Sequence, residues 1–481
     1  MSLKKLLSGA ILFILITDSG LLGPHGGVIY SFFASVLFPA LSPYLLIQIA
    51  LTQDSPGLAG YDWYLSFVLV AAVMTLDFLL RRGIRPLFRN RDFFLVMSAA
   101  LLVVLYGLAA SYINAFLGGV QQSSARPPYL VAALMLIMII SGAVAGSYLR
   151  SMPVTSGLMS RFVLLVLAHS LLVGLLQIVL GPWFLASKET AEQLSNYAQL
   201  VSPTVFGFPR ITGLYLTPNG FAFSSLLVYL VCIVYDRKFK IESIPSLAAL
   251  LLLASIVFFS FSKALMLYLA ILGLIFFFMT RPKYRLVLVL LAIVIMVWGT
   301  TSLDFEKIDS SFRISEGLSG SSFRHQAWSL TLQEFDLVKW IFGTGLSYWP
   351  VFFESRLGFS LSDPHTYLLS IPGTFGVIGI VFYVILLIVM FTHLFNKKRS
   401  SEEKFALCAL LSLILVKDAV SIPYLLGNTP LTYLIWLIVL GALDMPDCSG
   451  SACRAGQYHE LHVPGSSSRV ADSDVAGCHA P

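Results

Sequence analysis

The chain has 481 residues, 57% of them hydrophobic and only 12% charged, with 31 Lys and Arg against 25 Asp and Glu. A soluble chain carries roughly 25% charged residues, so this composition excludes an ordinary soluble domain and points to a membrane protein. The formal net charge of +6 sits in short basic clusters between apolar runs, the pattern of cytoplasmic membrane loops rather than of a nucleic-acid binder.

From the N-terminus, Lys4 and Lys5 followed by Leu6 to Ile16 have the build of a signal peptide, yet no A-x-A-like cleavage site follows, so the segment is read as a retained first helix. Apolar spans are predicted near 6–22, 28–51, 62–80, 93–117, 128–149, 159–186, 210–235, 246–261, 264–280, 285–300, 373–394, 405–425 and 430–444. The expected fold is therefore all-α: a polytopic transmembrane bundle of about twelve spans. Cytoplasmic loops are marked by Arg81, Arg82, Arg85, Arg89 and Arg91, by Arg150 and Arg161, and by Arg237, Lys238 and Lys240. Arg281, Lys283 and Arg285 continue the series, and Lys397, Lys398, Arg399 and Lys404 close it. These clusters agree if 246–280 is a helical hairpin turning near Ser262 and Lys263. Counting back through three spans puts Lys4 and Lys5 outside, against the same rule. Either the second run is broken into two short helices at Pro39 to Pro43 or one early segment does not cross. The broken run is favoured, since both prolines interrupt helical hydrogen bonding.

Residues 301–372 form a loop of about seventy residues on the non-cytoplasmic face, too long for a connector. Within it Phe323, Ala327, Trp328, Leu330, Phe335, Leu337, Val338 and Ile341 recur at helical spacing up to Gly343 and Gly345, which predicts one helix with an apolar side. A second outer loop, 187–209, leads into Arg210. The organisation expected is an N-terminal bundle over 1–200, a second membrane region over 201–445 holding the long loop, and a small polar tail, 446–481, predicted to be disordered. Of the five Cys, Cys232 and Cys408 lie in spans and Cys448, Cys453 and Cys478 in the tail, too scattered for a disulfide scaffold.

Four places could carry chemistry. Arg210, in Phe208-Pro209-Arg210-Ile211-Thr212-Gly213, opens a span at the outer face, where a guanidinium can grip phosphate through two parallel hydrogen bonds. The Pro218-Asn219-Gly220 break just beyond would free backbone groups to line a cavity. The plainer alternative is an Arg snorkelling to headgroups. Lys263, in Ser260-Phe261-Ser262-Lys263, is a cation between two very apolar runs, either functional or a marker of the membrane surface. Arg324 follows Ser321-Ser322-Phe323 and shares a helix face with Trp328, although a serine cap, an exposed Arg and a buried Trp would give the same pattern. His365, in Asp363-Pro364-His365-Thr366-Tyr367, is placed to take a proton near neutral pH, or is simply structural. His169 and the Lys417-Asp418 pair are intramembrane polar residues best explained as internal pairs between helices. Cys448, Cys453, His459 and His462 match no common zinc spacing, and no Gly-rich loop of the ATPase kind is present.

Together these segments resemble the bacterial O-antigen ligase and O-antigen polymerase superfamily. The matching pieces are Arg210-Ile211-Thr212-Gly213 with Pro218-Asn219-Gly220, Ser260-Phe261-Ser262-Lys263, and Ser321-Ser322-Phe323-Arg324 with Trp328. Phe342-Gly343-Thr344-Gly345 follows, then Pro364-His365-Thr366-Tyr367 with Gly373, Gly376 and Gly379, in the family's order and with its large outer loop. The resemblance implies a membrane glycosyltransferase fold in the bacterial inner membrane with its site facing the periplasm. It implies transfer of a glycan from undecaprenyl pyrophosphate to an acceptor hydroxyl, on lipid A core for a ligase or on another carrier-linked repeat for a polymerase. Carried over by position, Arg210 and Arg324 hold the pyrophosphate with Lys263 beside them, and His365 orients or deprotonates the acceptor. Lys263 stands where the family usually has Arg, so a point charge replaces a bidentate fork. That departure, with the divergent first half, leans toward a polymerase. The expected reaction uses no metal or cofactor, and a chain-length regulator is a possible partner. The competing reading, from another class, is a polysaccharide transporter or lipid-carrier flippase, in which Lys417, Asp418 and His169 would matter most.

Overall fold

The structure is a computed structural model. It describes residues 3–23, 25–53, 56–58, 62–83, 91–118, 127–151, 157–181, 184–185, 210–215, 218–236, 243–260, 323–357, 367–395, 405, 407–410, 426 and 429–443. Among these the regular elements are all helical. The first half consists of α1 (Leu3–Ser19), α2 (Gly26–Leu37), α3 (Ser42–Leu51), α4 (Asp62–Arg82), α5 (Arg91–Gly118), α6 (Pro128–Ser151) and α7 (Leu158–Leu180). The second half has α8 (Pro218–Tyr235), α9 (Ile244–Ser260), α10 (Phe323–Glu334), α11 (Leu337–Phe342), α12 (Tyr348–Leu357), α13 (Tyr367–Phe395) and α14 (Pro430–Leu443).

Six of these helices are long and apolar enough to cross a membrane, or seven with the bent pair α2–α3 taken as one span. Of the remaining predicted spans, 264–280 and 285–300, and most of 405–425, lie outside the described residues, as does the tail 446–481. Besides the short α3, two helices are buried on every side: α8, and α14 from Leu431 to Leu440. The surrounding helices turn large apolar side chains outward, among them Leu80, Phe116, Val179 and Ile388. A soluble protein would not leave so much apolar surface in water; in a bilayer it is the surface that matches the solvent. The two central helices meet others closely. At Gly142 of α6 an added Cβ would stand 2.9 Å from the Leu437 amide nitrogen of α14, so a small residue lets the backbones approach.

The predicted break of the second run is present. Helices α2 and Pro39–Leu51 are bent by 119°, and a 3₁₀ turn at Pro39–Leu41 separates α2 from α3. All ten residues of α3 are buried, so it is an internal helix with no lipid-facing side. The two ends of the pair come back together. His25, just ahead of α2, bonds through Nδ1 to Asp62 Oδ2 at 2.6 Å, at the start of α4. A Cβ on Gly20 would lie 3.7 Å from Pro56. The pair thus enters and leaves at one end of the bundle, with α1 and α4 on either side of it. With that arrangement Lys4 and Lys5 fall on the same side as Arg81 and Arg82, which removes the charge conflict.

His169 of α7 is paired as expected: Nε2 lies 2.6 Å from Asp18 Oδ2 on α1. At the opposite end from Gly181, α7 is capped by Asp236, whose carboxylate accepts from the Gly157 amide at 3.2 Å and the Ser160 amide at 3.1 Å. It is a distant acidic residue serving the N-cap role, in place of a local Ser or Asp.

Candidate active site

Arg210 begins a short non-helical stretch, 210–215, clamped between three helices. The predicted span 210–235 is corrected here: the helix starts at Pro218, and Pro218-Asn219-Gly220 is its first turn and not a break within it. Proline fits the first helical position because its missing N–H would go unused there anyway. Arg210 Nε donates to the Ser260 carbonyl at 2.8 Å and Nη2 to Asn219 Oδ1 at 3.4 Å. Ile211 N donates to Phe259 O at 3.2 Å. The stretch therefore bonds two carbonyls in the last described turn of α9.

The turn is held from the other side by Gln177 of α7, which is 1% exposed. Its Oε1 accepts from the Thr212 and Gly213 amides, both at 3.0 Å, and its Nε2 donates to Gly213 O at 2.7 Å. Gly213 has φ +58, and a Cβ there would meet the Phe221 ring at 2.5 Å; the position accepts only glycine. Burial pushes the Arg210 guanidinium down to about 10, still fully charged at neutral pH. A guanidinium has five N–H donors, and the contacts to Ser260 and Asn219 use two.

A second assembly joins the long loop to the bundle. Helix α13 carries Pro372 and is interrupted at Gly376 (φ 63, ψ −173). The break leaves carbonyls without helical donors, and the Gly343–Gly345 segment supplies them. Thr344 N donates to Gly373 O at 2.7 Å and Gly345 N to Thr374 O at 2.9 Å. On the far side Ser111 of α5 accepts from Leu346 N at 2.7 Å, and Asn114 Nδ2 donates to Gly343 O. Gly343 and Gly345 both have φ +78; a Cβ on the first would lie 2.3 Å from Thr374 O and on the second 2.3 Å from Ser111 Cα. Glycine spacing that reads as a motif is here a backbone-on-backbone seam.

The loop has its own small core of Ala327, Tyr348, Trp349, Phe352 and Phe353. Trp349 Nε1 also donates to Thr374 Oγ1 at 3.1 Å, tying that core to α13. The single helix expected up to Ile341 is two, α10 and α11. They part at Phe335-Asp336, because Asp336 caps α11 by accepting from Lys339 N at 2.8 Å. Lys339 then bonds Glu334 at 2.5 Å, which fixes the angle between them. Leu337, Val338, Trp340 and Ile341 remain exposed, so the expected apolar side of this stretch is covered only through α10.

Of the predicted site residues, Arg210 is thus joined to Asn219 and Ser260, so the first two motifs meet. Arg324 lies in the first turn of α10, on a different element. Lys263 and His365 lie outside the described residues, as do Lys417 and Asp418. Gln177 was missed. Its signal was a lone carboxamide in an apolar span, less conspicuous than the charged or titratable residues usually suspected there.

An all-helical multi-pass membrane chain with a cation seated among helix ends is the class that fold and site define. Residues 248–384 match the family model described as O-antigen ligase. The match is a likeness to the O-antigen ligase and polymerase superfamily, whose members are membrane glycosyltransferase-like enzymes of polysaccharide assembly. Among curated proteins none matches the chain.

Proposed function

We propose that the protein transfers a glycan from undecaprenyl pyrophosphate to an acceptor hydroxyl at the periplasmic face of the inner membrane, in O-antigen, capsule or exopolysaccharide assembly, and acts as a polymerase in preference to a ligase. The observation that carries this reading is Arg210, buried and charged, bonded to Ser260 and Asn219 at helix ends remote from the basic clusters. Gln177 lies near the end of α7 opposite Arg161, and Ser260 is the last described residue of α9, which starts just after Lys240. The positive-inside rule assigns such ends to the outer face. Lys263, a point charge in place of Arg, favours the polymerase reading.

The acceptor oxygen attacks the anomeric carbon and the bond from that carbon to the diphosphate oxygen breaks. His365 takes the hydroxyl proton, a general-base contribution of roughly 10²–10⁴-fold. Negative charge grows on the departing diphosphate, where Arg210 and Arg324, with Lys263, stabilise it in a poorly hydrated setting. The carrier is already activated, so no ATP is consumed.

In cells whose own copy is replaced, Arg210→Ala, Arg324→Ala and His365→Ala should each abolish surface glycan while the protein still reaches the membrane in normal amount. A single repeat left on the carrier indicates a polymerase, and long carrier-linked chains a ligase. Wild-type glycan in all three variants would defeat the assignment.

A further inference from the structure

Arg210 belongs to a stretch that forms no helix, so something other than backbone hydrogen bonding along a helix must hold the guanidinium in place. Three contacts from α8 and α9 do part of this: Ser260 O, Asn219 Oδ1 and Phe259 O. The rest converges on one side chain of a third helix. The Gln177 carboxamide spans the Thr212–Gly213 turn, accepting two amide protons on one oxygen and donating from its nitrogen to Gly213 O, with a further donation to Phe184 O at 3.5 Å. The Thr212 hydroxyl also lies 3.4 Å from Gln177 Oε1. No hydrocarbon side chain could satisfy those amides, and Gln177 and Thr212 are both buried, so losing these bonds is costly. Gly174, one turn earlier on α7, clears space for the same stretch: a Cβ there would meet Ile211 Cδ1 at 2.7 Å. Thus α7 is shaped to receive residues 211–213, first by a missing side chain and then by a carboxamide.

We infer that Gln177 is a positioning residue for diphosphate binding: it locks the 212–213 turn so that Arg210 presents its remaining N–H donors in one fixed orientation. The inference rests on the reading of Arg210 as the diphosphate ligand. Two N–H donors of a guanidinium grip phosphate only when the fork is held in plane with it. A turn released from α7 keeps the charge near the site and loses the fork.

The test uses purified full-length protein in detergent micelles, titrated with undecaprenyl pyrophosphate, with melting temperature and gel-filtration elution recorded for each variant. Arg210→Ala should raise Kd strongly. Gln177→Met, similar in size but unable to bond the turn, should raise Kd by about 10- to 100-fold, in the range of lost buried hydrogen bonds. Gln177→Met on top of Arg210→Ala should add almost nothing, since both act through one guanidinium. In transfer assays the KM for the acceptor should stay unchanged. Gln177→Glu keeps the oxygen that accepts from Thr212 and Gly213, so it should recover part of the affinity; it carries the test if the Met variant does not fold. Wild-type affinity in a folded Gln177→Met, or in Gln177→Glu where Met fails to fold, overturns the inference while leaving Arg210's role intact. So does a penalty that multiplies with that of Arg210→Ala. Undiminished binding by Arg210→Ala removes the ligand itself, and the inference falls with it.

Discussion

At Arg210 two effects oppose each other. Burial disfavours the charge and pulls the pKa down to about 10, while the Ser260 carbonyl and Asn219 favour the charged form as acceptors. The sign for function follows: the cation is complete well below pH 10 and is lost as pH rises through it. Diphosphate binding should be level from pH 6 to about 9 and fall above that. Arg210→Lys puts an ammonium with an ordinary pKa of about 10.4 into the same seat, where burial lowers it too. Its binding should be weaker throughout, for want of a fork, and should fall at a lower pH than in the wild type. Equal pH limbs in the two proteins would contradict the burial argument. At Gly343 the constraint is steric. Alanine there meets φ +78 and a carbonyl oxygen at 2.3 Å, costing about 1–2 kcal/mol for the backbone and a further 1–3 for overpacking. Gly83 has φ +69 but nothing within 4 Å, so Gly83→Ala should cost only the backbone part. Thermal melting of the two variants in detergent gives the comparison, and equal melting temperatures would refute it.

At the level of elements, the bent pair makes the sharpest claim. Two prolines in an apolar run were readable in the sequence, and the break is there. What could not be read was that α3 is buried on all sides and that the pair returns to its starting end, because that depends on partners such as Asp62, 37 residues from His25. Cysteines placed at Gly23 and at Asp62 should both react with a membrane-impermeant maleimide from the same side, and Lys5→Cys from the other. Labelling of Gly23→Cys and Asp62→Cys from opposite sides would show a full crossing between them. The Asp18–His169 pair joins α1 to α7 with both side chains largely shielded. His169→Ala leaves Asp18 without that partner and should lower stability by roughly 1–3 kcal/mol, with Asp18→Asn adding less than its separate cost. Melting of the single and double variants tests this; full additivity would mean the contact carries no coupling. The helix split at Phe335-Asp336 was overlooked because apolar periodicity continues through it, whereas the Asp336 cap is a local signal that periodicity does not register.

For the molecule as a whole, sequence periodicity located nearly every described helix, since a run of apolar residues long enough to cross a bilayer has few other fates. The short motifs also proved to be in contact. Arg210 meets Asn219 and Ser260, and Gly343 meets Gly376. Gln177 stayed hidden because its importance is visible only once 211–213 is folded against α7. Two assemblies result, one seating a cation and one fastening the long loop to α5 and α13. Both sit at helix ends away from the basic clusters at Arg81, Arg161, Arg237 and Lys397. On this account binding of the carrier diphosphate belongs to the first assembly, and the second holds the loop that bears Arg324.

The most direct measurement is transfer in proteoliposomes holding only the purified chain, a carrier-linked glycan donor and an acceptor, without nucleotide. The wild type should lengthen or transfer the glycan and release polyprenyl diphosphate, and Arg210→Ala, inserted equally well, should not. Undiminished transfer by Arg210→Ala, or a wild-type reaction that proceeds only when ATP is added, would contradict the account.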